Sequence, residues 1–141
     1  MPSPGLTSRL ARARRSLERL YRLSRLSWEE YSRDEDAQAL AERHLQVLLE
    51  AILDIAGFIA ARRGLTGEPT YRGVMEALVR EGLIPDEYED LALSIPGMRN
   101  ILVHGYADIR HDLLYETLRG ELDKLGDLLL HLYTEAEKLD P

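Results

Sequence analysis

The stretch from Asp34 to Arg63 constrains the fold more than any other, because its apolar side chains recur at three- and four-residue steps, the period of an α-helix. The apolar positions are Leu40, Leu45, Leu48, Leu49, Ile52, Leu53, Ile55, Ala56 and Ile59. They cover a broad face, which suits a helix contacted on more than one side, in a bundle or at a dimer interface. The stretch therefore predicts one long helix, begun by Asp34 or Asp36 and stopped by Gly64.

The segments around this stretch have the same helical period. Residues 6–26 carry one leucine-rich stripe, which predicts an amphipathic helix of about six turns. Ser27 and Glu30 have the spacing of a capping box, so a short helical turn is expected to begin there. Two further helices are predicted from Pro69 or Thr70 to Gly82 and from Asp86 to Ser94, and the second is followed by a kink or restart at Pro96-Gly97. A last helix is predicted from about Ile109 to Leu139, capped by Asp108.

No segment has the two-residue period of a strand, and the chain has no internal repeat or low-complexity run. The sequence therefore predicts a single all-α domain spanning residues 1–141. Its expected architecture is an antiparallel helical bundle of about five main helices.

Composition excludes several classes of protein. The chain has no cysteine, so disulfides, thiolate catalysis and thiolate metal sites are all ruled out. A cysteine-free chain also fits a reducing compartment, and we expect a cytoplasmic protein. No apolar run is judged long enough to span a membrane, so we expect no membrane partner.

The net charge of −7 is unevenly distributed along the chain. Residues 1–26 contain seven arginines and a single acidic residue, Glu18, for a balance of +6, which leaves −13 on the remainder. An acidic domain is a poor general binder of nucleic acid. Any contact with RNA must then be confined to part of the surface. That part would be the basic first helix, or a set of arginines that two copies of the chain bring together in a dimer. For those arginines we favour a solvated face over a nucleic-acid contact.

Three charged side chains lie within the long central stretch, namely Arg43, Glu50 and Asp54. Glu50 and Asp54 are four residues apart and share a helix face, and Arg43 and Glu50 are seven apart. A carboxylate pair can perform acid–base chemistry. A ladder of surface or interhelical ion pairs is the commoner explanation, and it is the one we favour.

The densest polar chemistry lies in residues 99–106, Arg-Asn-Ile-Leu-Val-His-Gly-Tyr. The rest of the sequence carries no recognisable catalytic motif. The four histidines form no pair spaced for zinc, so no metal site and no cofactor is expected, and no serine-nucleophile elbow or glycine-rich phosphate loop is present. The candidate site residues are therefore Arg99, Asn100, His104 and Tyr106.

Their spacing favours a site shared between two copies of the chain. On a continuous helix Asn100 and His104 share a face, whereas Arg99 lies about 140° around the helix from His104. One protomer thus spreads these groups around the helix end. A compact site is easier to build if a second copy contributes its own set across a twofold axis, so we expect a homodimer.

These side chains suit metal-free cleavage of RNA. A base must take the 2′-hydroxyl proton, an acid must protonate the departing 5′-oxygen, and positive charge must stabilise the phosphorane. His104 can act as base or acid, Arg99 as the charge clamp, and Asn100 as a support that orients phosphate or imidazole. An equally open alternative is that His104 caps a helix and Arg99 pairs with a nearby carboxylate.

The motif Arg99-x4-His104-x-Tyr106, with the polar Asn100 directly after the arginine, resembles that of the HEPN superfamily in its HepT-like toxin branch. The resemblance extends over most of the chain, including ERHLQVLLEAILDIAGFI and YRGVMEALVREGLIP. It implies a homodimeric, metal-independent ribonuclease that cleaves tRNA or mRNA, the toxin of a type VII-like toxin–antitoxin module. Arg99 and His104 would be catalytic and lie in a cleft at the dimer interface.

The resemblance also implies a partner. This is a nucleotidyltransferase antitoxin of the MntA type, which would transfer AMP to Tyr106 and so block the cleft. The alternative is a non-catalytic helical subunit that binds substrate for a nucleotidyltransferase. A third and weaker interpretation is a nucleotide sensor that uses Arg99 as a phosphate anchor.

Overall fold

Helices make up all the regular secondary structure of the computed structural model, which describes residues 4–67, 69–105 and 109–140. The all-α prediction is therefore confirmed. The described residues form seven α-helices and one 3₁₀ turn, at Asp86–Tyr88. The helices are α1 (Pro4–Leu23), α2 (Trp28–Arg33), α3 (Glu35–Arg62), α4 (Tyr71–Arg80), α5 (Glu89–His104), α6 (His111–Gly120) and α7 (Leu122–Lys138).

Helix α3 is the centre of the bundle. It packs against each of the other six helices, most extensively against α1, α7, α5 and α4. Leu48, Leu49, Ile52, Ile55 and Ile59 are all fully buried along it. The prediction that a broad apolar face is contacted on more than one side is confirmed.

The same helix corrects the expectation that no segment is long and apolar enough to cross a membrane. By length and composition alone α3 passes that test, with a mean hydropathy of 1.6 over an 18-residue window. In the structure 56% of that window is buried within the bundle. Its hydropathy is thus explained by packing against other helices, as in the core helix of a folded domain.

Side-chain caps begin three of the helices at the expected places. The reciprocal capping box of Ser27 and Glu30 starts α2, and the Asp34 carboxylate accepts from the backbone of Ala37 to start α3. The Thr70 hydroxyl accepts from the Gly73 amide at the start of α4. Past the ends of α3 and α4 the chain turns at two glycines with positive φ, Gly64 at 63° and Gly82 at 72°.

Of the two possibilities expected at Pro96-Gly97, a kink or a restart, the restart is wrong, since α5 is assigned as one helix from Glu89 to His104. An interior proline removes one backbone hydrogen bond and costs about 3 kcal/mol. Pro96 is buried together with Ala92 and Ile95, and burial of a side chain such as Ile95 stabilises by about 1.5–3 kcal/mol. Packing against the core thus offsets much of the cost and keeps the candidate residues on one helix.

The single last helix expected from Ile109 to Leu139 is also wrong. The chain is interrupted at Glu121, where φ is −116° and ψ is −7°, directly after the poor helix former Gly120. Helices α6 and α7 both pack against α1 and α3, and α6 packs against α2 as well. Two shorter helices allow α6 to reach this additional partner. The expected cap at Asp108 lies outside the described residues.

A buried hydrogen-bonded chain ties α2, α3 and α6 together. Tyr31 is fully buried, its hydroxyl lies 2.7 Å from His111 Nδ1, and His111 Nε2 lies 3.0 Å from the Glu42 carboxylate. Burial, with the nearby Glu42 charge, raises the pKa of Tyr31 well above its usual value, so the hydroxyl keeps its proton. The Tyr31 hydroxyl donates to Nδ1 of His111, and the Nε2–H of His111 donates to Glu42, so each of the three side chains has a hydrogen-bond partner.

Replacing Tyr31 by phenylalanine is expected to lower the free energy of unfolding by about 1–3 kcal/mol, because His111 Nδ1 loses its buried partner. Tyr88→Phe is the matched control, since the Tyr88 hydroxyl donates to Asp127 at 3.2 Å on the surface. That control should change stability by less than about 0.5 kcal/mol. Urea unfolding curves that give the two variants equal losses would rule out a structural role for the buried chain.

Candidate active site

Arg99 lies on α5 with its guanidinium enclosed by groups from two other helices. Its Nη2 lies 3.5 Å from the Glu50 carboxylate of α3, and the guanidinium carbon lies 5.3 Å from the centre of the Tyr71 ring of α4. Its Nη1 donates to the Asn100 side chain at 3.3 Å. The side chain is 20% exposed. Arg99 is therefore held in place while part of it still faces solvent.

The contact with Glu50 leaves the guanidinium able to bind a ligand. Charge-assisted pairs usually close to about 2.7–2.9 Å and are often bidentate, whereas Arg99 and Glu50 make one contact at 3.5 Å. Arg99 Nε is buried and has no hydrogen-bond partner within the described residues. The pairing of Arg99 with a carboxylate, one of the two possibilities raised by the sequence, thus exists, and it is loose enough to yield to a phosphate.

The Glu50 carboxylate is itself held by a second contact. Its Oε1 accepts a hydrogen bond of 2.9 Å from Gln46, one turn earlier on α3. Asp54, one turn later, pairs with Arg9 of α1 at 3.5 Å. The favoured interpretation of Glu50 and Asp54 as interhelical ion-pair residues is confirmed.

His104 differs from the other three histidines of the chain. His44 pairs with Ser16 at 3.1 Å, His111 bridges Tyr31 and Glu42, and His131 Nε2 lies 3.0 Å from the Leu83 carbonyl. His104 is exposed at the last position of α5, and no hydrogen bond joins its ring to the described residues. Its imidazole is thus the one that the described packing leaves free for chemistry.

The continuous α5 preserves the spacing from which the sequence argument starts. Asn100 and His104 are one turn apart on one face, and Arg99 points about 140° away from His104. No hydrogen bond within the described part of the chain links Arg99 to His104. The structure therefore brings Arg99 and Asn100 together and leaves His104 apart. Tyr106 lies outside the described residues.

Gly105, between His104 and Tyr106, ends α5 with a tight contact. A Cβ atom at this position would collide with the carbonyl oxygen of Ile101, which accepts the Gly105 amide hydrogen bond. Only a residue without a side chain fits there as the structure stands. The motif thus includes a steric requirement for glycine beside its histidine.

The arginines of α1 are all exposed, as expected for a solvated basic face. Two of them, Arg9 and Arg12, line a cavity of about 370 Å³ together with Arg43, Glu50 and Asp54 of α3. The basic first helix therefore reaches the side of α3 that holds Arg99. Within residues 4–67, 69–105 and 109–140, no group of three or more metal-binding side chains is close enough to hold an ion.

Sequence reasoning missed Tyr71 and Gln46 as neighbours of the site. The sequence places Tyr71 only within a predicted helix, and it gives Gln46 no signal at all. Their roles depend on how α4 and α3 pack beside α5, which a helical period does not reveal. An aromatic residue at the start of an amphipathic helix was the only available signal.

Comparisons with known proteins agree with this architecture. The model of the family described as Ribonuclease HepT-like matches residues 13–132. A comparison with curated proteins gives no significant match.

Solved structures of similar fold include several toxin–antitoxin complexes. One is a tri-AMPylated HEPN toxin of Shewanella oneidensis with its MNT antitoxin, at a TM-score of 0.81 and 21% identity over 94% of this chain and 98% of that one. A toxin–antitoxin with AMP-PNP also has a TM-score of 0.81 and 21% identity, over 92% of this chain and 97% of that one. A mutant MntA–HpeT complex has a TM-score of 0.78 and 22% identity, over 92% of this chain and 97% of that one. These identities establish the shared fold, and the family match establishes membership: the chain belongs to the HepT-like ribonuclease family.

Proposed function

We propose that this protein is a metal-independent endoribonuclease, the toxin of a toxin–antitoxin pair, and that it cleaves tRNA or mRNA with Arg99 and His104. The observation that carries the proposal is the contrast between the two side chains. Arg99 is held by Glu50 and Tyr71, while His104 is exposed with no hydrogen bond to the described residues. A fixed cation and a free imidazole on one helix are the groups that metal-free phosphodiester cleavage requires.

The reaction is a transesterification within the RNA. One imidazole takes the proton of a 2′-hydroxyl, and the 2′-oxygen attacks the adjacent phosphorus. The bond from phosphorus to the 5′-oxygen breaks, and a protonated group gives that oxygen its proton. Arg99 binds the equatorial phosphate oxygens as negative charge develops on them.

One copy of His104 cannot begin as both base and acid. In a homodimer with the ends of two α5 helices close together, His104 of one copy can act as the base and His104 of the other copy as the acid. The angle of about 140° between Arg99 and His104 also favours a site that combines residues of both copies. We therefore include the homodimer in the proposal.

The test is RNA cleavage by the purified wild-type protein in excess EDTA, under the low-salt conditions that favour binding of RNA by an acidic protein. Cleavage that resists EDTA is the expected result. A protein that cleaves no RNA, yet binds a nucleotidyltransferase tightly and in fixed ratio, would instead be the helical substrate-binding subunit. The presence of both Arg99 and His104 in the motif favours the enzyme.

We further propose regulation by a nucleotidyltransferase antitoxin of the MntA type, through AMP transfer to Tyr106. The solved neighbours include an AMPylated HEPN toxin bound to an MNT antitoxin. The proposal requires that the added AMP bring a negative phosphate to the Arg99 clamp and bulk into the cleft, so that both binding and access are lost.

Co-expression with such an antitoxin is expected to add one or more AMP masses to the wild-type protein and to abolish RNA cleavage. Intact-mass spectrometry of Tyr106→Phe should show no added AMP, because the acceptor hydroxyl is missing. Tyr88→Phe, which removes a tyrosine hydroxyl that donates to Asp127 at the surface, should gain AMP like the wild type. AMP found on Tyr106→Phe would place the modification elsewhere.

A further inference from the structure

A cavity of about 580 Å³ lies between α3, α4 and α5, next to Arg99, and the proposed reaction itself does not use it. Leu53, Asp54 and Gly57 of α3 form one side, and Pro96 and Asn100 of α5 form another. The third side is the start of α4, with Tyr71. Sites for small molecules commonly have volumes of about 300–1,000 Å³, with apolar walls and a few polar groups.

We propose that this cavity binds one base of the RNA next to the cleaved phosphate, and that it prefers guanine. The proposal rests on the ribonuclease function proposed above and adds a specificity site to it. It is argued from the walls of the cavity, from its polar rim and from its continuity with Arg99.

The walls suit a flat ring. The exposed Pro69 and the half-buried Val74 present apolar surface, and Tyr71 presents an aromatic ring. Unpaired RNA bases are commonly recognised by stacking on aromatic and apolar side chains, while their edges are read by hydrogen bonds. The cavity therefore offers what an unpaired base requires on its two faces.

The polar rim selects among the four bases. The Asp54 carboxylate can only accept hydrogen bonds, so it matches an edge with adjacent donors. Guanine presents N1–H beside its 2-amino group. Adenine and cytosine place one amino group beside an acceptor nitrogen, and uracil places one N–H between two carbonyls. Asp54 therefore favours guanine, and the Asn100 amide can serve the remaining donors and acceptors.

Asp54 is free to change partners. It pairs with Arg9 at 3.5 Å, and the two side chains are 42% and 51% exposed. An exposed ion pair of this kind contributes little to stability, so a base edge can displace it at small cost. Arg9 would then face the RNA backbone with its charge unpaired.

The cavity is continuous with the proposed catalytic residues. Asn100 lines it and accepts a hydrogen bond from Arg99, whose guanidinium lies over Tyr71. A base in the cavity would thus place its own phosphate at Arg99. His104 is one turn further along the same face as Asn100, about 6 Å along the helix axis.

The first test compares cleavage of two oligoribonucleotides that differ only in a guanosine or an adenosine at one position of an otherwise uridine-rich strand. The wild type is expected to prefer guanosine, and Asp54→Asn should reduce that preference about tenfold or more, as for the loss of a bidentate base contact. Glu135→Gln is the matched control, because Glu135 of α7 is an acid paired with Lys138 at 3.2 Å, and neither residue lines the cavity. It removes the same charge and should keep the preference.

The second test fills the cavity without touching the catalytic groups. A Cβ added at Gly57 would meet no atom within 4 Å. Gly57→Leu is therefore expected to fold, with a better helix former within α3, and to raise KM for the guanosine substrate while kcat changes little. Gly57→Ala, which adds only a methyl group, should change KM much less.

The outcomes separate this proposal from the ribonuclease function. If RNA is cleaved but Asp54→Asn and Gly57→Leu keep the wild-type base preference and KM, the base site is wrong and the ribonuclease stands. If the wild type cleaves no RNA, calorimetry with guanosine 5′-monophosphate tests whether the cavity binds the base, independently of the ribonuclease function. Binding that both variants weaken supports the site, and absent or unchanged binding overturns it.

Discussion

Replacing Arg99 by alanine is expected to slow RNA cleavage by about 10²–10³-fold, the usual cost of removing one group that stabilises developing charge. Arg99 is the cation that Glu50 and Tyr71 fix beside Asn100. Its loss removes both the charge and the fork of N–H donors that matches a phosphate. The decrease should appear in kcat, because the interaction strengthens as the phosphorane forms.

Two further variants define what Arg99 contributes. Arg99→Lys keeps the charge but not the planar fork, so it should recover only part of the lost activity. Glu50→Gln keeps the side-chain shape and removes the charge that orients Arg99, so we expect a smaller loss. Thermal unfolding must show that Arg99→Ala is folded. A folded Arg99→Ala protein with wild-type cleavage would exclude Arg99 from the site.

Replacing His104 by alanine is expected to slow cleavage by about 10²–10⁴-fold, the range associated with losing a general acid or base. Since the ring has no hydrogen bond to the described residues and is exposed at the end of α5, its removal should leave stability nearly unchanged. Initial rates of oligoribonucleotide cleavage, together with urea unfolding, measure both effects.

His131→Ala supplies the opposite control. His131 Nε2 contacts the Leu83 carbonyl at 3.0 Å and is remote in sequence from the motif. We expect this variant to lose some stability and to keep its rate of RNA cleavage. If His104→Ala were the unstable variant and still cleaved RNA normally, His104 would be a structural residue and the proposed chemistry would fail.

Much of the fold could be predicted from local signals. The capping residues Ser27, Asp34 and Thr70 and the stops Gly64 and Gly82 act within one or two turns, and each lies where its side chain or its backbone freedom predicts. The apolar period of α3 likewise predicted the helix on which all the others pack. Such features depend on neighbouring residues alone.

The errors arose where packing decides between local conformations. Pro96 normally interrupts a helix, yet burial with Ile95 keeps α5 continuous. At Glu121 the apolar stripe of the last segment continues in sequence, yet the segment divides into α7 and α6, and α6 also packs against α2. Neither outcome can be derived from a helical period, because both depend on surfaces far away in the chain.

The same distinction between local signals and packing applies to the candidate site. Arg99, Asn100 and His104 could be identified from residue chemistry and helix spacing, and the continuous α5 preserves that spacing. Tyr71 and Glu50 could not be identified as neighbours of Arg99, because they meet it only through the packing of α4 and α3 against α5. The sequence thus indicated the reactive groups, while their supports required the structure.

The central claim is that the 2′-hydroxyl of RNA, without a metal ion, is the nucleophile. The most direct measurement is the chemistry of the RNA ends that the wild-type protein produces in excess EDTA, read by mass spectrometry of a defined oligoribonucleotide. Attack by the 2′-oxygen predicts a 2′,3′-cyclic phosphate, or the 3′-phosphate formed from it, and a 5′-hydroxyl. Products with 5′-phosphate and 3′-hydroxyl ends, or cleavage that stops in EDTA, would contradict it.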